Sequence, residues 1–191
     1  MNEKTAQFSL RGLFQPRDLT EGTPWKTILA FALPIIISYL LQEVYTISDA
    51  AIVGQTLTAG EVAGVNDTTS IIFIFLQFAF GVSAGFCVVT AADVGAHHEA
   101  GVRRSLAAQI LLSAALTVLL TGLALLLLKP MLAWINVTPE SPEVYRAAHT
   151  YCAIIFAGIG AQLFYNFICS FLRSMGDSVT PLLFLLFSTI L

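Results

Sequence analysis

Charge is what this sequence has least of. Among 191 residues, nine are Lys or Arg and twelve are Asp or Glu, so charged side chains make up 11% and hydrophobic ones 57%. Soluble domains carry about 25% charged and about 45–50% apolar residues. That contrast, with a mean hydropathy of +0.81, excludes a soluble domain with a large core and points to an integral membrane protein. Cysteine is also scarce. Cys87, Cys152 and Cys169 fall inside apolar runs at a spacing that fits no metal motif and no disulfide framework, and they read as small packing residues. There is no nucleophile elbow, no pair of catalytic carboxylates, no H-E-x-x-H and no nucleotide motif. No enzyme activity, bound metal or nucleic-acid partner is expected. The adjacent His97 and His98 before Glu99 do not have a zinc spacing and read as a solvated loop.

What the chain has is long apolar runs. A bilayer core about 30 Å thick needs about 20 apolar helical residues. Four complete membrane helices are expected at about 24–54, 61–94, 104–128 and 142–175, with the start of a fifth at 180–191. At 1.5 Å per residue the last run reaches only about 16 Å, so the chain reads as an N-terminal fragment of a longer protein. The fold class is therefore all-α, a polytopic helical bundle in the lipid bilayer. Residues 1–23 read as a cytoplasmic lead-in, in which Phe8, Leu10, Leu13 and Phe14 could make a short interfacial turn but a loosely ordered tail is favoured. The first apolar run is too long and starts too late for a cleaved signal peptide.

Lys4, Arg11, Arg17, Lys26, Arg103, Arg104 and Arg173 fall on one side of this topology, and Lys129 and Arg146 on the other. The positive-inside rule then puts the N-terminus in the cytoplasm of a multi-pass cell-membrane protein. Thr23-Pro24, Ser141-Pro142 and Thr180-Pro181 read as helix starts with a hydroxyl N-cap. Gly95 and Gly176 read as helix stops. Gly81 and Gly85 form a G-x-x-x-G that would let another helix approach.

Against this background the polar residues inside the spans stand out. On the first helix Ser38, Gln42 and Tyr45 fall within about 40° of Asp49, and Thr46 flanks them. A charged Asp deep in a bilayer costs about 2.5–3.5 kcal/mol and faces the bundle interior or a water-filled cavity. Desolvation would raise its pKa and let it hold or release a proton, and Asp49 is the candidate cation-coupling residue. The structural alternative is an Asp that fixes helix register through hydrogen bonds. Glu43 points away from the stripe and is a second, independent candidate. Asn66, Ser70 and Gln77 share a face of the second helix near Phe73, Phe78 and Phe80, and could line a cavity for flat organic molecules. The fourth helix contributes Gln162, Tyr165 and Asn166, of which Asn166 should face protein. Pro34 favours a kink in the first helix.

"LPIIISYLLQEVYTISDAAIVGQTL", "FAFGVSAGFCVVTAADVGA" and "YNFICSFLRSMGDSVTP" together resemble the multidrug and toxic compound extrusion (MATE) family. The third segment matches an L-R-x-x-G-D-x-x-x-P junction between the family's fourth and fifth helices. The resemblance runs from about residue 25 to 191. It implies twelve helices in two six-helix lobes, of which residues 24–191 would be the first part of the N-lobe. It also implies an antiporter that expels small organic compounds, often cationic, against Na⁺ or H⁺ by alternating access, with no cofactor beyond the coupling ion. Asp49 matches the family's first-helix acidic residue, implicated in cation coupling. Glu43 stands where a second Gln is common and Thr46 where an Asn is common, which leaves the choice of ion open. The family's fifth-helix Asn and Asp fall beyond Leu191. Alternatives are a lipid-linked saccharide flippase, disfavoured because no Lys or Arg lies mid-span, and a non-transporting structural membrane subunit.

Overall fold

The computed structural model describes Leu19 and residues 22–190. Most of the expected lead-in, including Phe8, Leu10, Leu13 and Phe14, lies outside the described residues. The rest is helical: α1 (Pro24–Thr56), α2 (Ala59–Gly95), α3 (Glu99–Trp134), α4 (Pro142–Ala157), α5 (Ile159–Ser174) and α6 (Val179–Ile190). No strand occurs among the described residues. Three helices, α1 to α3, are long and apolar enough to cross a membrane. The apolar pair α4–α5 makes a fourth candidate span, bent by 44°.

That bend lies at Gly158, whose N–H is shared between the carbonyls of Ile154 and Ile155, each at 3.0 Å. The helix tightens there and resumes in a new direction. α5 then lies close against α3, because a Cβ on Gly160 would meet Thr117 Cγ2 at 2.8 Å.

The helix ends follow a different chemistry from the one the sequence suggests. Thr23 and Ser141 precede their prolines but make no side-chain cap. Thr180 lies inside α6, and the acceptor for its N-terminus is Asp177, whose Oδ1 takes the N–H groups of Val179 and Thr180 at 3.1 and 2.9 Å. A capping box does exist, at Thr58 and Glu61. Three helices stop with the paired hydrogen bonds of a Schellman motif around a residue of positive φ. That residue is Gly176 (84°) after α5, Asn136 (60°) after α3 and His97 (53°) after α2. Gly95 is only the last helical residue of α2, since the left-handed position falls two residues later.

The core lies between α2, α3, α4 and α5. On α3, Leu120, Ala124, Leu128 and Leu132 repeat every four residues and bury one continuous stripe. They meet Ile71, Ile72 and Ala79 of α2 and Phe156, Ile159 and Leu163 of the bent pair. The rings of Phe75 and Phe156 pack at 5.0 Å and 49°. The close approach of α2 to its neighbours does not use Gly81 or Gly85, where an added Cβ would meet nothing within 4 Å. It uses Gly64, where a Cβ would lie 2.6 Å from the Val144 carbonyl of α4. α1 stands apart from this core: it packs on α6, meets α2 only along a short stretch, and buries a single residue, Ser38.

Candidate functional site

The gap between α1 and the core is a polar cavity of about 240 Å³. It gathers Ser38 and Gln42 from α1, Gln77 from α2, and Gln162, Tyr165 and Asn166 from α5, six of the polar candidates of the sequence on three different helices. Ser38 is held by a hydrogen bond from its Oγ to the Pro34 carbonyl at 2.9 Å. The helix runs through Pro34 without a break. Asn166 is buried, and Gln162 one turn earlier donates to its Oδ1 at 3.5 Å. The apolar part of the wall is Leu76, Phe80 and Leu185.

Arg173 also lines this cavity. In the sequence it counts only as a cation at the end of the fourth span. It lies in the last turn of α5, inside the helix. The signal was present: seven residues after Asn166 is two turns, about 20° away on the same face. Ser170, one turn after Asn166, belongs to the same row. The Nε of Arg173 and the Nδ2 of Asn166 are both buried with no hydrogen-bond partner among the described residues.

The remaining sequence candidates lie outside this cavity. Tyr45, Thr46, Asp49 and Glu43 are exposed on the C-terminal half of α1. Thr46 Oγ1 donates to the Gln42 carbonyl at 3.0 Å. Asp49 makes no hydrogen bond or ion pair among the described residues, and its charge is within reach of the Tyr151 hydroxyl on α4. Asn66 and Ser70 are exposed, whereas Thr68 between them is fully buried. The polar face read from the sequence on α2 is therefore not the face that enters the core.

Two further polar clusters join helices. Between α2 and α3, Gln109 donates to the Phe86 carbonyl and to Ser105 Oγ, both at 2.9 Å, and to Thr90 Oγ1, while Thr90 and Ser105 pair at 2.7 Å. At the other end of α2, Thr58 Oγ1 donates to Glu143 Oε1 of α4 at 2.5 Å. The Glu143 carboxyl fits there because Gly60 carries no side chain. Both clusters fix helix positions away from the cavity.

Comparison with known proteins follows the same outline. The MatE family model matches residues 34–191. The probable multidrug resistance protein YpnP of Bacillus subtilis is 30% identical over 180 residues, which cover 91% of this chain and 38% of that protein. The probable multidrug resistance protein YoeA of the same organism is 26% identical over 167 residues, or 87% of this chain and 35% of that one. Among solved structures, a MOP superfamily transporter from Pyrococcus furiosus matches with a TM-score of 0.80 at 24% identity, and a MATE protein in complex with MaD3S with 0.72 at 23%. Each match covers 91% of this chain and 38% of the other. The chain thus spans little more than a third of the length of its relatives.

Proposed function

The chain belongs to the MatE family, a family of membrane transporters, and from that footing we propose that it supplies the first part of the N-lobe of a secondary antiporter. That antiporter exports organic, often cationic, compounds in exchange for Na⁺ or H⁺. The observation that carries this reading is the polar cavity between a loosely attached α1 and the α2–α5 core. The printed names of the two Bacillus relatives support a multidrug cargo.

In the proposed cycle α1, with α6, moves against the four-helix core and opens the cavity to one side of the membrane and then the other. In this reading the N-terminus lies in the cytoplasm of a cell-membrane protein, which the excess of Lys and Arg on that side supports. Gln42 lines the cavity, and Asp49 lies seven residues further along α1, about 10 Å. A proton or Na⁺ on Asp49 cancels its charge and weakens the hold on a cationic substrate. Coupling needs each ligand to prefer a different state, since a ligand shifts an equilibrium only by its differential affinity. Moving the ratio of states from 1:99 to 99:1 takes about 5.5 kcal/mol of such preference. Tyr45, Thr46, Asn66 and Ser70 complete the polar surface that substrate or ion would meet, and Glu43 is the second candidate carboxylate.

The test is efflux of a fluorescent organic cation from vesicles that hold the full-length protein, with a pH gradient and a Na⁺ gradient imposed separately. Wild type should export under one of them, and Asp49→Asn should lose the gradient-driven part while remaining folded. Unchanged coupled export in Asp49→Asn would remove Asp49 from the mechanism.

A further inference from the structure

The cavity carries a charge that cation export does not use. Among the described residues its walls hold one charged side chain, Arg173, and no carboxylate. Arg173 makes no ion pair among the described residues, and its Nε is buried without an acceptor. Two turns earlier on the same face of α5, Asn166 is more than nine-tenths buried, and its Nδ2 has no acceptor either. Gln162 donates to the Asn166 Oδ1, which leaves the NH₂ end free. Buried donors of this kind are strongly unfavourable unless an acceptor reaches them, and more so when one belongs to a charged group.

We infer that the cavity is a subsite for the carboxylate of a small organic acid, or for the carboxylate end of an amphoteric compound, held by Asn166 Nδ2 and Arg173. One guanidinium balances one carboxylate and offers it charge-assisted hydrogen bonds. A diphosphate would bring more negative charge than the single cation can offset. At about 240 Å³ the space is below the ~300–1,000 Å³ of a site for a whole drug-sized molecule. It suits a small acid or one end of a larger one, with Leu76, Phe80 and Leu185 against the apolar part. The inference stands on the cavity and not on the direction or ion of transport.

The experiment is calorimetric binding to the purified full-length protein in detergent. The probes are benzoate, its neutral counterpart benzamide, and dioctanoyl phosphatidate as a lipid phosphate. Benzoate should bind at least tenfold more tightly than benzamide. Arg173→Gln should weaken benzoate at least tenfold and leave benzamide unchanged. Arg173→Lys, which keeps the charge and loses Nε, should fall between. Because Arg173→Gln could disturb folding, Asn166→Asp is the second variant. It places an anion in the same cavity as Arg173, so it should raise the melting temperature of the unliganded protein and abolish benzoate binding. Equal affinity for benzoate and benzamide, or benzoate binding by Asn166→Asp at wild-type strength, overturns the proposal. So does saturation by phosphatidate with benzoate excluded, which assigns the site to a lipid phosphate. Binding is read without any gradient, so failure here and failure of the antiport reading are separate results.

Discussion

Gly64→Ala should destabilise the protein, whereas Gly81→Ala on the same helix should not. A Cβ at Gly64 would lie 2.6 Å from the Val144 carbonyl oxygen, 3.1 Å from the Ala148 nitrogen and 3.2 Å from Ala147 Cβ. The first two are backbone atoms of α4 and cannot rotate aside. A relaxed carbon–oxygen contact is about 3.3 Å or more, so α2 and α4 must separate by about 0.7 Å. Overpacking of this kind costs about 1–3 kcal/mol. Replacing Gly by Ala inside a helix returns about 0.8–1.0 kcal/mol, so the net loss is up to about 2 kcal/mol. At Gly81 nothing lies within 4 Å of the new Cβ, and only the favourable term remains, a gain of up to about 1 kcal/mol. The two variants make the same chemical change, so their difference isolates the helix crossing. Purified full-length proteins in one detergent would be heated and the folded fraction followed by size exclusion. Gly64→Ala should melt below wild type and Gly81→Ala at or above it. Coincident melting curves would refute the claim that backbone contact between α2 and α4 limits this packing.

Two further outcomes follow from the polar joints. Gln109→Leu removes three donated hydrogen bonds and the acceptor of the Cys87 thiol but leaves Thr90 and Ser105 paired with each other, so the loss should be about 1 kcal/mol, read by the same melting assay. Asp177→Ala removes the acceptor for two N–H groups at the start of α6 and should cost about 1 kcal/mol. Asp177→Asn keeps an acceptor oxygen and should stay within about 0.5 kcal/mol of wild type.

The number and order of the spans are legible because a bilayer imposes a length on each apolar run, and composition reports that length; the break at Gly158 that splits the fourth run into two helices is not. The close contacts are not either, and the G-x-x-x-G shows why. The sequence holds two copies, Gly60 to Gly64 and Gly81 to Gly85, and the second drew attention because it lies in the middle of an apolar span. The first is the one that meets α4. It was hidden by setting the start of α2 at Glu61, which left Gly60 in a loop. The T-x-x-E spacing of Thr58 and Glu61 is a readable capping box and moves that start back. Proline misled in the same way: Thr23-Pro24 and Ser141-Pro142 do open helices, but the proline does so by its fixed φ and missing N–H, with no help from the hydroxyl. At the end of α2 the conspicuous Gly95 drew the stop away from His97, a residue type that tolerates the left-handed region less often than glycine but more often than most others. The place of Arg173 in the cavity wall is less legible, because a cation at the end of a span reports orientation but not which way its helix face turns.

α1 presents the opposite case, in which the pattern was legible but its partner was not. Ile36, Leu40, Val44, Ile47 and Ile52 are exposed, and so are Gln42, Tyr45 and Asp49. Equal exposure has different physical meanings on the two faces. The apolar face is satisfied by lipid, whereas a carboxylate or amide facing lipid would be strongly unfavourable. The polar row begins at Ser38 and Gln42, inside the cavity, and continues outward to Asp49. Along it Ser38 and Thr46 satisfy their own hydroxyls on carbonyls one turn back. Gln42, Tyr45 and Asp49 are then the groups left to interact with water, an ion or another helix. A row that starts in a polar cavity and keeps its free groups on one face links that cavity to Asp49. In the proposed cycle, such continuity carries a charge change at Asp49 to a ligand at Gln42 with no direct contact between them.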